Sequence, residues 1–199
     1  IPRPAWIEQE GAAAVGKKGH ADRAAVQPAL EVAAGRRDGP CSRPLHVAAA
    51  ELAFGSPPDF TRNTFGGMPE VLRSAARRFV DEYQGQLRTF DAQHEVAPGV
   101  IVSRTGGHTP GHSVVRFASG GERLTFLGDA VFPDHFDHPG WYNAFDHDPE
   151  EAVRVRVRLL QELAASRDPL VATHLSFPSF GRVAVADNGF RWVPTDWEY

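Results

Sequence analysis

The stretch that most narrows what this chain can become runs from Thr105 to Ser113: Thr-Gly-Gly-His-Thr-Pro-Gly-His-Ser. A Pro-Gly pair reads as a turn, so His112 is delivered to the mouth of the apolar strand that follows it, Ser113–Ala118. Sixteen residues past His112, Gly128 and Asp129 close a second apolar strand, and after a helical stretch His174 ends a third, Leu170–Thr173. Imidazole nitrogen and carboxylate oxygen hold zinc at about 2.0–2.2 Å. Two ions about 3.5–4 Å apart can share a carboxylate and a hydroxide, which is a nucleophile near neutral pH. Ligands of that kind need rigid mounts, and strand ends and tight turns supply them. The fold must therefore bring three distant strand ends to one place.

The rest of the chain is read around that requirement. Leu45-His46-Val47 forms a short strand and Ala48–Phe54 a short helix, followed by a Pro/Gly/Asn-rich loop from Gly55 to Gly67. Pro69 suits a first helical turn, and Val71, Leu72, Ala75, Ala76, Phe79 and Val80 share a face, which predicts a helix over 69–84. Strands follow at 87–90, Val100–Ser103, Ser113–Ala118 and Leu124–Gly128, the last two joined by a hairpin turn at Ser119–Glu122. Asp148-Pro149-Glu150-Glu151 is a helix start with a cap, a first-turn proline and a returning carboxylate. Val153, Val157, Leu160 and Ala164 are taken as that helix's apolar face, to about residue 165, with Arg154, Arg156 and Arg158 as solvated positions. Arg182–Val185 and Phe190–Val193 flank Asn188-Gly189, a hairpin turn. Strands predominate with helices between them, so helices pack outside sheets in an α+β fold.

Composition excludes several classes. A chain of 199 residues can bury a sizeable core as one domain, and 42% hydrophobic residues is the level of a globular protein. A net charge of −4 argues against a dedicated nucleic-acid binder, and Cys41 alone excludes an intrachain disulfide or a Cys-rich zinc finger. No apolar run approaches the ~20 residues of a membrane span. The expectation is a cytoplasmic protein. Because the chain starts at Ile1 it is read as a fragment or a processed form, which leaves secretion open.

The ordered motifs at His112, Gly128-Asp129 and His174 resemble the metallo-β-lactamase superfamily. The tail, His174-Leu-Ser-Phe-Pro-Ser-Phe-Gly181 and then Gly189-Phe-Arg-Trp-Val-Pro194, is similar to the branch holding methyl parathion hydrolase and related, quorum-quenching-like lactonases. The resemblance covers roughly residues 44–199. It implies an αββα sandwich with a dinuclear zinc site at one edge between two sheets, here incomplete at the N-terminus. It implies that His112, Asp129 (bridging) and His174 are metal ligands, and that a hydroxide held by the metals attacks an ester, lactone or phosphotriester. It also implies a small-molecule substrate. The family's first motif, His-x-His-x-Asp-His, has one counterpart, Lys18-Gly-His20-Ala-Asp22-Arg23. On that resemblance His20 and Asp22 would be metal ligands, with Asp22 relaying a proton and Asp22 and Asp129 the catalytic carboxylates; the alternative is a polar loop that happens to contain His-x-Asp. Lys18 and Arg23 stand where two histidines belong, and a cation offers a metal no lone pair.

Two accounts of residues 1–43 stay open at this point. The chain is a degenerate member of the family, or this segment is not native family sequence, for example the product of a shifted reading frame. The paired Lys17 and Lys18 in a chain whose other 19 basic residues are all Arg, and the change of character at Pro44, lean toward the second.

The remaining candidates each have an ordinary reading beside the sharp one. His112 and Asp129 could be turn residues and His174 a satisfied core histidine. His108 is placed beside the site or on the surface instead of among the ligands. Asp134-His-Phe-Asp-His138 looks like a second metal site but is better read as a cleft loop. Phe132, Trp141 and Phe177, near the expected metals, are the substrate-binding candidates, with core packing as the alternative. Trp192, Trp197 and Tyr199, read as exposed aromatics, would allow a homodimer.

Overall fold

The computed structural model describes residues 44–55, 69–187 and 189–195. The expectations at His20, Asp22, Lys18, Arg23, Asn188, Trp197 and Tyr199, and the assignment of 1–43 as an atypical segment, lie outside the described residues. Apart from Pro44, the described residues belong to one unit, Leu45–Tyr199.

The unit opens with strand β1 (Leu45–Ala48), helix α1 (Ala49–Phe54) and helix α2 (Pro69–Tyr83). Strand β2 (Leu87–Phe90) pairs in parallel with β1 in a two-stranded sheet. The main sheet has seven strands in sequential order. These are β3 (Gln93–Ala97), β4 (Val100–Arg104), β5 (Ser113–Ser119), β6 (Glu122–Phe126), β7 (Leu170–Val171), β8 (Phe180–Ala186) and β9 (Gly189–Pro194). All neighbours are antiparallel except β6 and β7. A parallel pair needs a crossover, and here it holds two helices, the short α3 (Asp134–Asp137) and the long α4 (Pro149–Ser166). This mixed architecture is the α+β arrangement the motifs predict.

That one parallel pair decides where the site lies. β6 and β7 run the same way, so the residues leaving their C-terminal ends, Asp129 and His174, emerge at the same edge of the sheet. β5 runs against β6, so its entry residue, His112, starts from that edge too. The ladder continues into the loops: Leu127 N–H donates to the Val171 carbonyl at 2.8 Å and Thr173 N–H to the Gly128 carbonyl at 3.2 Å.

Helix α4 packs Val155, Leu159, Leu160 and Leu163 into a core with Val114, Leu127, Val131, Leu170 and Val183, and its Ala152 is also buried. Its start is as the sequence predicts, with the Asp148 carboxylate accepting from Glu151 N–H at 3.0 Å and Pro149 in the first turn. The predicted face was rotated. Val153 and Val157 are only half-buried, while Arg156 is buried and lies among the core positions. Reading Arg156 as solvated therefore concealed where the face lies. On the opposite side of the sheet the register aligns Val115 with Phe126 and Phe117 with Leu124, and Phe117 and Phe126 stay 39% and 37% exposed. Trp192 is not a free aromatic: it is half-buried against Phe136, with ring centroids 5.6 Å apart. Strand β3 and helix α3 went unpredicted, β3 because Gln93-His-Glu alternates poorly, α3 because it is a single turn.

Candidate metal centre

The structure brings His112, Asp129 and His174 together. Asp129 Oδ1 lies 3.4 Å from His174 Nε2, and Asp129 N–H donates to His112 Nε2 at 3.2 Å. The fourth member of the group is His108, whose Nε2 is 3.4 Å from Asp129 Oδ2. Sequence reasoning had set His108 beside the ligands. Its place in the motif turn was the available signal, but nothing in the spacing showed that its ring reaches the central carboxylate.

Each side chain is aimed by identifiable contacts. Thr105 Oγ1 donates to the His112 carbonyl at 3.0 Å and sits 2.7 Å from His112 Nδ1. With its own proton used, that hydroxyl accepts from Nδ1–H, which assigns the proton to Nδ1 and leaves the Nε2 lone pair facing Asp129. Burial, then the charge of His108, lowers the His112 pKa to about 4, so the ring is neutral at physiological pH. Gly128 adopts φ +54°, and a Cβ there would stand 3.0 Å from His112 Nε2. A side chain at this position would press against the His112 ring. The turn itself is docked elsewhere. Gly111 N–H donates to Glu51 Oε2 at 2.8 Å, and Gly107, at φ +83°, rides so close to α4 that a Cβ would meet Ala152 Cα at 2.6 Å.

The charges around Asp129 are strongly coupled. Burial opposes its charge, but the His108 bond and charge, followed by the charge of His174, hold its pKa at about 2. Burial likewise opposes a charged His108, yet Asp129 and Asp146 outweigh it and raise its pKa to about 9. His108 Nδ1 is 3.1 Å from Asp146 Oδ1. Asp146 in turn faces Arg156 at 3.2 Å, and both of those side chains are 1% exposed.

The substrate-side candidates fall in different places. Phe132 stacks on the His174 ring, centroids 4.2 Å apart and 12° from parallel. Phe177 follows His174 and is 87% exposed. Trp141 stacks on His138 at 3.7 Å, and its carbonyl accepts from Arg156 at 2.7 Å. Within Asp134–His138, His135 is buried and its Nδ1 accepts from Phe132 N–H at 3.1 Å. The segment read as a cleft loop is a helical turn, and His135 is packed inside it.

The donors have the chemistry of a zinc site, imidazole nitrogens around a central carboxylate. Their pairwise contacts do not amount to a closed cage. Among the described residues, no group of three or more His, Cys, Asp or Glu side chains is arranged to hold an ion as it stands. The two Asp129 carboxylate oxygens each stand 3.4 Å from an imidazole Nε2, His108 on one side and His174 on the other, while His112 Nε2 accepts the Asp129 backbone N–H at 3.2 Å.

Among curated proteins none matches this chain. Solved structures do. AidC, a dizinc quorum-quenching lactonase in complex with the product N-hexanoyl-L-homoserine, superposes with a TM-score of 0.70 at 26% identity, over 77% of this chain and 55% of its own. The hydrolase AbOPH of the beta-lactamase superfamily superposes with a TM-score of 0.68 at 25% identity, over 78% of this chain and 56% of its own. This chain thus spans little more than half the length of either. The sequence profile of the metallo-beta-lactamase superfamily matches residues 7–174, a span that takes in His20 and Asp22 as well as the three strand-end donors. The chain belongs to the metallo-beta-lactamase superfamily.

Proposed function

We propose that this chain is a metal-dependent hydrolase acting on a small ester, lactone or phosphotriester. One observation carries the reading: three donors from three separate strand ends, His112, Asp129 and His174, converge on one edge of the sheet. Zinc, when bound, would supply a Lewis acid and a water of lowered pKa. The chain's own part is positional. Thr105 fixes the His112 tautomer so that Nε2 presents a lone pair. Asp129, held ionised by its neighbours, keeps a negative charge where cations would bind. Phe132 keeps the His174 ring in plane by stacking on it. Phe132, the exposed Phe177 and Trp141 would offer apolar surface to an acyl or aryl group. The likeness to a quorum-quenching lactonase supports a lactone among these substrates, and the likeness to a second hydrolase supports hydrolysis in general. The tail motifs after His174 favour the methyl parathion hydrolase and lactonase branch. A homodimer belongs to this proposal as well, resting on Trp197 and Tyr199.

A second reading has its own support. On the motif match, Lys18 and Arg23 would stand at ligand positions, and the described donors do not form a closed three-ligand group. A non-catalytic member of the family, with impaired metal binding, would look this way. The deciding experiment measures zinc content of the purified chain, together with turnover of an aryl ester, an N-acyl homoserine lactone and an aryl phosphotriester. Bound zinc with turnover of any of the three supports the hydrolase. Zinc-free protein that stays inactive after zinc loading establishes the second reading instead.

A further inference from the structure

We propose that Arg156 is a positioning residue for the wall of the substrate cleft: it gathers the segment between Asp129 and helix α4 onto one buried guanidinium, and so sets where Phe132 and Trp141 stand. The proposal deepens the hydrolase reading and rests on it, since a wall selects substrates only at a site that turns them over. The Arg156 side chain is 1% exposed, and it meets the segment at its start, middle and end. Its Nε donates to the Ala130 carbonyl at 3.1 Å. Its Nη1 donates to the carbonyls of Pro139 at 3.2 Å and Trp141 at 2.7 Å, and its Nη2 to Asp146 Oδ2 at 3.2 Å. Asp146 extends the hold, its backbone N–H donating to the Asn143 carbonyl at 3.1 Å.

Apolar packing secures only part of this segment. Val131 and Phe136 belong to the core, but from Asp137 to Phe145 no residue is buried. A stretch without buried apolar side chains takes its position chiefly from polar bonds, and two carbonyls of this one end on Arg156. Trp141 stacks its ring on His138, centroids 3.7 Å apart, and returns its N–H to the His138 carbonyl at 3.0 Å. A shift of the Trp141 backbone therefore carries both rings. Near the start of the segment, Phe132 N–H is held by His135 Nδ1 at 3.1 Å, and the Phe132 ring lies on His174.

Charge alone does not account for an arginine here. A lysine ammonium donates from a single point, whereas the planar guanidinium donates in several fixed directions at once. A cation present solely to neutralise Asp146 would have no need of three carbonyls on either side of it. The surfaces that Arg156 places are an indole and a phenyl ring, which favour an apolar acyl chain over a short one.

The test compares the full chain with Arg156→Lys, which keeps a cation for Asp146 and gives up the fork. Hydrogen exchange of the Phe132, Trp141 and Asp146 amides, each bonded within the segment, is read by NMR beside that of the α4 amides. Turnover by the zinc-loaded protein is read as kcat/KM for p-nitrophenyl hexanoate over p-nitrophenyl acetate. The expected result is exchange about tenfold faster at the three amides, beyond any change in α4, and a hexanoate preference that falls at least about fivefold. Unchanged exchange at the three amides in a folded Arg156→Lys protein overturns the proposal, as does faster exchange with the preference intact. If Arg156→Lys does not fold, the parent and Trp141→Ala decide. Parent amides protected to the level of α4, with the hexanoate preference lost in Trp141→Ala, support the proposal; amides exchanging at the rate of an open loop overturn it. A zinc-loaded parent that turns over neither ester, nor the lactone and phosphotriester named above, overturns the hydrolase reading, while faster exchange in Arg156→Lys would leave the hold on the segment standing.

Discussion

Arg156 offers the sharpest test of the packing described above, because two readings of it differ by an order of magnitude. As a solvated arginine on α4, its replacement by methionine would change stability by no more than about 0.5 kcal/mol. In the structure it is 1% exposed and bonded to three carbonyls and to Asp146, itself 1% exposed. Arg156→Met therefore leaves Asp146 a buried carboxylate that has lost one of its two charged partners and keeps only His108. Breaking a buried pair from one side costs about 3–5 kcal/mol. At an m-value of about 2 kcal/mol/M, a loss of ~4 kcal/mol lowers the urea midpoint by about 2 M. Arg154→Met and Arg158→Met, at exposed positions on the same helix, serve as controls and should move the midpoint by less than about 0.3 M. Adding Asp146→Asn to Arg156→Met should recover part of the loss, since the buried charge left with His108 alone is then gone. A midpoint for Arg156→Met within the range of the two controls would refute the clamp.

Other expectations follow from single contacts. His135 is held near pKa 3 by burial and then by Arg156, against about 6.5 unfolded. The unfolded chain then binds more protons between those values, so stability falls as pH drops from about 6.5 toward 3, by up to about 1.4 kcal/mol per pH unit. His135→Asn keeps an acceptor for Phe132 N–H, and urea melts at pH 7 and 4.5 should show a shallower pH dependence than the parent. An equal slope would show that His135 does not carry it. Gly128→Ala places a Cβ 3.0 Å from His112 Nε2 at φ +54°. We expect a cost of roughly 1–2 kcal/mol from the left-handed backbone and weaker zinc binding by calorimetry, and unchanged affinity would argue against pressure on the His112 ring. Gly107→Ala, whose Cβ would lie 2.6 Å from Ala152 Cα, should separate the motif turn from α4 and lower the melting temperature more than Gly120→Ala, where the Cβ has open space. Equal shifts would mean that the turn is not docked on the helix.

How far the sequence could be read depended on the kind of signal. Strand ends and turns were legible because Pro-Gly, Gly-Asp and the capped start at Asp148 act within a few residues. The convergence of His112, Asp129 and His174 was expected from metal-ligand residue types at strand ends and from the family resemblance, and the strand directions that produce it came only with the fold. Long-range polar contacts were not. Arg156 repeats every second residue with Arg154 and Arg158, and nothing local distinguishes the one arginine that turns inward to meet Asp146 ten residues earlier. For the same reason the helix face was misplaced by about one position. His108 was placed beside the ligands, yet its partner Asp146 lies 38 residues away, a pairing that only the fold reveals. The short β3 lacked alternation and was found only by its register with β4.

Zinc-edge X-ray absorption on the zinc-loaded chain addresses the donor set itself, beside His112→Ala and His174→Ala. The account predicts a nitrogen and oxygen shell near 2.0–2.1 Å with imidazole scattering, and loss of about one imidazole in each variant. A spectrum without imidazole, or one that both variants leave unchanged, would contradict it.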